Sequence, residues 1–157
     1  MQMTEIQPWL YLGSVEEAQV PWLRGHEITH VLSVAEEIEK DDISISSQKH
    51  LHLMLHDFDD NKRFDLDIRA AVDFIESCRK EDGKILVHCF AGINRSVTVV
   101  LFYLAIHYGY NFPNAYILLK VLRPIIKPVL FNEILLRKEP HDPYYAHLLQ
   151  GVEALLL

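Results

Sequence analysis

The chain has 157 residues, of which 50% are hydrophobic and 24% are charged, a composition typical of one globular domain. Its formal net charge of −7 argues against a duplex nucleic-acid partner, because such partners usually require a basic face. Any anionic ligand would need a local positive site, since the overall field repels it. The only two cysteines, Cys78 and Cys89, exclude a disulfide framework and a paired-cysteine zinc site.

The start of the chain and its apolar runs bear on the compartment. The first residues lack a basic region that leads into an apolar core, so we expect no secretory signal. The longest apolar run, 97–106, is too short to span a bilayer. We therefore expect a cytoplasmic protein, with the nucleus as the alternative, that has no membrane partner.

The first half of the chain predicts strands, turns and one helix. Residues 9–14 predict a short strand that ends in a glycine turn, and 30–35 predict a second strand. Residues 15–23 favour a helix in spite of an internal proline. Residues 50–57 alternate strictly between leucines on one face and mostly histidines on the other, which is the period of a half-buried strand.

The second half predicts helices around one buried strand. Residues 65–80 carry an apolar stripe at helical spacing, and a glycine closes that helix. Residues 84–89 are mostly apolar without alternation, as in a strand that is buried on both faces. Residues 96–108 are apolar almost all round, which predicts a helix in the centre of the fold. Further helices are predicted at 113–122 and after Pro128.

Strands that alternate with helices favour an α/β fold, with a central, mostly parallel twisted sheet flanked by helices. We expect residues 1–139 to form this single domain. Residues 140–157 contain two prolines and then a leucine-rich run, which predicts a helical extension. Because that extension can pack on the domain or against a second copy, we expect a monomer or a weak homodimer.

The stretch "HCFAGINRSVTVV", residues 88–100, places a thiol and a guanidinium at the two ends of a short loop. The loop is predicted between a strand and a helix N-terminus, where unpaired backbone N–H groups and the helix dipole attract anions. Gly92 lets successive N–H groups converge, and Arg95 adds a planar fork that suits two phosphate oxygens. An ordinary cysteine is mostly protonated at neutral pH, but the same groups would stabilise a thiolate at Cys89. The loop therefore predicts a nucleophile beside an anion site.

Cys89, five further residues, Arg95 and Ser96 match the signature loop of the cysteine-dependent protein tyrosine phosphatases. The longer pattern "VHCFAGINRS", followed by an apolar helix and "LRPIIKP", most resembles the dual-specificity subgroup. The likeness extends from "PWLYLGS" near the start to about Lys138. It implies hydrolysis of phosphotyrosine and phosphoserine or phosphothreonine in proteins, with no metal or other cofactor.

The resemblance also implies a role for each residue of the loop. Cys89 would attack phosphorus to form a phosphocysteine, Arg95 would stabilise the equatorial oxygens, and Ser96 would help the thiolate to leave. His88 would support the thiolate through hydrogen bonding. Arg123, which can also cap its own helix, would contact the backbone or a second phosphate. The residues that bind the phosphate would be Phe90, Ala91, Gly92, Ile93, Asn94 and Arg95.

Expulsion of a serine, threonine or tyrosine oxygen requires a proton donor, and the same group can later activate water. The family places an aspartate for this purpose in the loop after the third strand. Asp57 stands at that place and fits the spacing to Cys89 best. Asp59 and Asp60 lie close by and remain alternatives.

Two positions depart from the usual pattern of the subgroup. Asn94 replaces its commonest serine and occurs in relatives that resemble RNA 5′-triphosphatases, so an RNA 5′-phosphate is one alternative substrate. A phosphoinositide is another, although the loop lacks the lysine usual for it. Val129 replaces a polar residue that usually supports the loop. A phosphopeptide-binding protein without activity is a third alternative, against which the intact Cys89, Arg95 and Asp57 argue.

Other prominent side chains have structural interpretations. Cys78 lies on the apolar stripe of its helix and is interpreted as a buried small side chain, with a redox partnership with Cys89 as the alternative. His50, His52 and His56 share one face of a strand. No carboxylate or cysteine completes an obvious set with them, so we expect no metal site.

Overall fold

The structure is a computed structural model that describes residues 3–39, 43, 48–57 and 64–137. The strands in these ranges are β1 (Thr4–Gln7), β2 (Leu10–Gly13), β3 (His30–Val34), β4 (Lys49–Leu53) and β5 (Ile85–His88). The helices are α1 (Val20–Gly25), α2 (Phe64–Lys80), α3 (Arg95–Tyr108), α4 (Phe112–Leu122) and α5 (Val129–Arg137).

The strands form one sheet in the order β1–β2–β5–β3–β4. β1 is antiparallel to β2, whereas the other neighbours are parallel. Gly13 at the end of β2 and Ser33 near the end of β3 are both in register with His88 of β5. The carboxyl end of β5 therefore lies at the centre of one sheet edge, the place where open parallel sheets bind ligands.

α3 forms the centre of the core. Its residues 95–105 are all buried, and α2, α4 and α5 pack on it. Because successive strand residues point to opposite faces, Val87 belongs to the core under α3, while Leu86 belongs to a smaller cluster with Leu23 of α1. The sheet is thus covered on both faces, which explains why β5 is apolar without alternation.

The predicted α/β fold with a mostly parallel sheet is confirmed, but the single helix predicted over 15–23 is wrong. Ser14 and Glu17 form a capping box around a short 3₁₀ turn, so the chain turns there before it continues. α1 begins only at Val20, with Pro21 in its first turn, where the missing N–H group is tolerated.

Two further differences concern the edge strands. The strand predicted over 50–57 ends at Leu53, which is in register with Val34 at the end of β3. Beyond that pair, Glu36 N still donates to Leu55 O at 3.0 Å. The sequence does not predict β1, since only Ile6 of its four residues is buried and the pattern is correspondingly weak.

None of the described helices combines the length and the apolar character that crossing a bilayer requires. The expected boundary at residue 139 and the extension at 140–157 lie outside the described residues.

Candidate active site

Hydrogen bonds to its backbone carbonyl groups hold the loop between β5 and α3 in place. Three of these carbonyl groups accept hydrogen bonds from neighbouring elements, namely Phe90 O from Val15 N (3.0 Å), Gly92 O from Arg123 Nε (2.9 Å) and Ile93 O from Lys127 N (2.9 Å). In a trans peptide the N–H group points away from the carbonyl to which it is joined. The N–H groups that follow these three carbonyls therefore face the inside of the loop.

Gly92 is at the tightest point of the loop. Its φ of +70° lies in the left-handed region, and a Cβ atom there would stand 2.6 Å from both Gly13 O and Arg123 Nη2. Both the conformation and the close approach of β2 require glycine. Arg123 is buried behind the loop and also donates to Thr4 Oγ1 (3.0 Å), so it contacts the loop backbone.

Cys89 lies at the bottom of the loop and is only 2% exposed. Its Sγ atom is 3.1 Å from Ser96 Oγ and accepts a hydrogen bond from Gly92 N at 3.3 Å. Ser96 is itself fully buried in the first turn of α3. The sulfur thus has a backbone amide and a hydroxyl beside it, and both can stabilise a negative charge on it.

Arg95 extends across the site and is also almost completely buried. Its Nη1 and Nη2 atoms form a bidentate ion pair with Glu37, with Nη2 at 2.6 Å from Oε2, and Nη1 also donates to Leu55 O (3.1 Å). Burial opposes the charge of Arg95, but the bond to Glu37 and the negative groups at Cys89 and Asp57 raise its pKa. In turn the bond from Arg95 lowers the pKa of Glu37.

The Nε atom of Arg95 has no aligned acceptor among the described residues. Asp57 Oδ1 lies 2.9 Å from it, which is close enough for an ion pair, but the N–H group is not directed at that oxygen. A buried guanidinium donor of this kind requires a partner. Arg95 borders a cleft of about 250 Å³, whose lining residues are Glu37, Asp57, Cys89, Phe90, Ala91, Ile93, Asn94 and Arg95.

His88 connects the loop to the neighbouring strands. Its Nδ1 atom lies 3.1 Å from Cys89 O, which can only accept, so Nδ1 carries the proton. Nε2 then accepts from Ser33 Oγ (2.6 Å), and that hydroxyl accepts from His50 Nε2 (2.8 Å). Burial lowers the pKa of His88 to about 4, so the ring is neutral near pH 7. A neutral ring has one donor and one acceptor, and this fixes the direction of each hydrogen bond from His50 through Ser33 to His88.

The chain is similar in sequence and in fold to a family of known proteins. Residues 10–140 match the family described as dual specificity phosphatase, catalytic domain. The chain belongs to the dual specificity phosphatase family. Among curated relatives of this chain, dual specificity protein phosphatase 15 of Mus musculus is 34% identical over 134 residues, which cover 80% of the chain and 52% of the relative. A probable dual specificity protein phosphatase of Dictyostelium discoideum is 35% identical over 151 residues, which cover 90% of this chain and 36% of the relative.

The chain thus spans about half or less of the length of these curated relatives. Solved structures match over almost their whole length. The crystal structure of DUSP15 has a TM-score of 0.78 and 27% identity, and the match covers 98% of this chain and 96% of the other. The human tyrosine phosphatase-like serine/threonine/tyrosine-interacting protein has a TM-score of 0.74 and 28% identity, with 98% and 97% covered.

The structure brings most of the predicted site residues of this chain together. Cys89, Arg95 and Asp57 line one cleft, whereas Ser96 and His88 lie behind it in contact with Cys89. Arg123 supports the loop from the side away from the cleft. Asp59 and Asp60, the alternatives to Asp57, lie outside the described residues.

The three histidines of the β4 region have separate partners. His50 bonds to Ser33, His52 Nε2 lies 2.7 Å from Ala35 O, and His56 Nδ1 lies 2.6 Å from Glu36 Oε1. No three His, Cys, Asp or Glu side chains in the described ranges are arranged to hold a metal ion. Burial raises the pKa of Cys78 to about 11, and its place on the buried face of α2 favours the interpretation as a buried small side chain.

Sequence reasoning missed two side chains that complete the site. Glu37 holds the end of the Arg95 fork, and Ser33 bonds to His88. Both lie at or just after the carboxyl end of β3, the strand next to β5. The acidic run "EEIE" after a predicted parallel strand was the available signal, but it required knowledge of which strands are neighbours.

Proposed function

We propose that this chain hydrolyses phosphotyrosine and phosphoserine or phosphothreonine in proteins through a phosphocysteine intermediate. The observation that supports this most directly is the unsatisfied Nε of Arg95 in the same cleft as the sulfur of Cys89. A phosphate group would supply the acceptor that this donor lacks, and would meet the inward N–H groups of the loop. The cleft therefore combines a candidate anion site with a candidate nucleophile.

In the first step the Cys89 sulfur forms a bond to phosphorus as the bond from phosphorus to the leaving oxygen breaks. Asp57, in its acid form, gives its proton to that oxygen, so the product leaves as an alcohol or a phenol. Arg95 and the loop N–H groups stabilise the charge on the three equatorial oxygens.

In the second step a water oxygen attacks phosphorus and the sulfur–phosphorus bond breaks. The Asp57 carboxylate accepts the proton of the water, and inorganic phosphate forms. The sulfur leaves as a thiolate, to which the hydroxyl of Ser96 donates from 3.1 Å. Atoms and protons balance without any cofactor.

The charges beside the cleft favour a protein substrate over the two polyanionic alternatives. The carboxylates of Glu37 and Asp57, which line the cleft, are 43% and 47% exposed. An RNA 5′-phosphate or a phosphoinositide carries further phosphates that these groups would repel. A peptide brings a single phosphate, for which Arg95 is the local positive site. Two free cysteines fit a reducing compartment, the cytoplasm or the nucleus.

The test is to trap the intermediate. Mixing the protein with an aryl phosphate, quenching in acid and measuring intact mass should reveal a phosphorylated form that is absent in Cys89→Ser. Steady-state assays should show no turnover by Cys89→Ser and a loss of about 10²–10⁴-fold in Asp57→Ala.

A binding protein without activity is the second candidate, because one neighbour in structure is described as tyrosine phosphatase-like and as an interacting protein. That candidate predicts neither trapped phosphate nor turnover in the unmodified chain. Equal phosphate release by the unmodified chain and Asp57→Ala would contradict the assignment of the acid. Parallel assays with phosphopeptides, phosphoinositides and 5′-triphosphorylated RNA would separate the substrate classes.

A further inference from the structure

The side chain of Asn94 links the loop before α3 to Asp57, which follows β4, and to α5. Asn94 stands at the N-cap of α3, yet its side chain does not cap the helix. Its Nδ2 atom donates to Asp57 O at 2.8 Å and to Asp57 Oδ1 at 3.3 Å. Its Oδ1 atom accepts from Leu130 N, in the first turn of α5, at 2.8 Å.

The orientation of this amide follows from its partners. Leu130 N can only donate, so the oxygen of Asn94 must face it. The nitrogen must then face Asp57, where its two hydrogens match the two acceptors, the main-chain carbonyl and the carboxyl group. The amide of Asn94 is thus fully satisfied, and α5 holds it in place.

We propose that Asn94 is a positioning residue that holds Asp57 ready to protonate the leaving oxygen; this rests on the role proposed above for Asp57. The Asp57 side chain is 47% exposed, so packing alone does not determine its position. The bond to its main-chain oxygen fixes the backbone. The bond to Oδ1 leaves Oδ2 to carry the proton of the acid form.

Arg95 cannot perform this task throughout the reaction. It also contacts Asp57 Oδ1, but its Nε donor is not aligned with that oxygen and is the group that a bound phosphate would engage. The amide of Asn94 is neutral and does not compete for the phosphate charge. It can therefore keep its bonds to Asp57 in the free and the bound protein.

The same amide replaces the loop support that Val129 cannot provide. In the dual-specificity subgroup, a polar residue after the Arg-Pro segment usually supports the loop. The residue before the loop arginine is commonly serine there. Here the polar group stands on the loop, at Asn94, and bonds to the backbone at Leu130. A serine hydroxyl is shorter and has one hydrogen, so it could not bond to Asp57 twice and to Leu130 at once.

The test is a double-mutant cycle with two substrates of different leaving-group acidity. Phenyl phosphate depends strongly on a proton donor, whereas a fluorinated umbelliferyl phosphate, with an acidic leaving group, depends on it weakly. We expect Asn94→Ala to reduce kcat/KM for phenyl phosphate about tenfold more than for the umbelliferyl ester. In an Asp57→Ala background the same change should affect both substrates equally, because the acid on which it acts is gone.

Controls separate positioning from folding. Asn94→Asp keeps the shape and the bond to Leu130 but loses both donors and adds a negative charge to the cleft, so in a folded protein it should lower kcat/KM for both substrates and more strongly for phenyl phosphate. Asn111→Ala removes another asparagine at a helix N-cap, which accepts from Asn114 N at 2.9 Å far along the chain; it should lower Tm without substrate dependence. Inhibition by orthovanadate checks that the loop of each variant still binds a phosphate analogue.

Two results would overturn the inference. One is a loss in Asn94→Ala and Asn94→Asp that is the same for both substrates, and the other is a substrate-dependent loss that persists without Asp57. If Asp57→Ala itself affected both substrates equally, the assignment of the acid would fail and this inference with it. If the unmodified chain hydrolysed neither ester, the proposed function would fail.

Discussion

At the scale of single residues, the buried ring of His88 makes the fold sensitive to pH. Burial lowers the pKa of His88 to about 4 in the folded chain, whereas an unfolded histidine titrates near 6.5. Between these values the unfolded chain binds a proton that the folded chain does not bind. The free energy of unfolding must therefore fall as pH decreases from about 6.5 to about 4, and it is unaffected by this group above that range.

We predict that the contribution of His88 to this dependence disappears in His88→Asn. The group contributes up to about 3 kcal/mol across the range, since one pKa unit corresponds to about 1.4 kcal/mol. Urea unfolding at several pH values between 4 and 7.5 would measure it. His26→Asn, at the C-terminal end of α1, is the matched control and should keep the dependence of the unmodified chain. Parallel curves for the two variants would contradict the prediction.

Most of the residues that could be predicted from sequence share one contiguous loop. Cys89, Gly92, Arg95 and Ser96 stand at fixed spacing, and a strand–turn–helix is enough to bring their groups together. Glu37 could not be assigned in this way, because it meets Arg95 only when β3 and β5 are neighbours. Strand order depends on tertiary packing, and local pattern does not encode it.

At the scale of elements, a hydrogen bond to Glu76 connects α2 to α3. Its carboxylate accepts from Tyr103 Oη at 2.8 Å and also binds Arg79 on its own helix. The bond to Arg79, followed by those to Tyr103 and the charge of His107, lowers the pKa of Glu76 to about 2. Its side chain is only 12% exposed, so these contacts are partly shielded from solvent.

Glu76→Gln should reduce the free energy of unfolding by about 1–2 kcal/mol at pH 7. Because the folded pKa lies below the unfolded one, this stabilisation is present above about pH 4.5 and is lost as pH falls towards 2. Chemical unfolding at pH 7 and pH 3 would show the difference between variant and parent shrinking. Asp73→Asn, an exposed change on the same helix, should have little effect at either pH. An equal difference at both pH values would exclude this explanation.

The elements differ in how well sequence predicts them, and burial explains why. α3 was predictable because an uninterrupted apolar run has only one stable location, the centre of the core. β1 was not, because an edge strand with one buried residue has no distinct period. The helix expected over 15–23 is interrupted because Pro21 has no N–H group to bond back to the carbonyl of Glu17, and the backbone is extended at Gln19.

At the scale of the whole molecule, the groups of the site lie between Ser33 and Leu130, within the 10–140 match to the family. We propose that residues 1–139 are the catalytic domain and that 140–157 pack on it or on a second copy. The exposed side chains of Ile117 and Val121 on α4 offer an apolar surface for either contact.

A chain that ends after residue 139 should therefore keep its kcat/KM within about twofold, since no catalytic group is removed. Assays with an aryl phosphate would measure this, and sedimentation of both chains would show whether the extension joins two copies. A chain that ends after residue 127 is the control. It loses the buried Leu130 and Phe131 and should not fold. Loss of turnover in the first truncation would place part of the site in the extension.

The complete burial of α3 has a consequence for selectivity. A helix enclosed by the sheet and three other helices cannot rotate or slide, so the loop at its start is already shaped before any ligand arrives. The anion site is therefore preorganised, and binding of an anion has only a small entropic cost for ordering the loop. Recognition of the phosphate itself should then be nearly the same for every ester, and discrimination must come from the half-exposed side chains around the opening, such as Phe90.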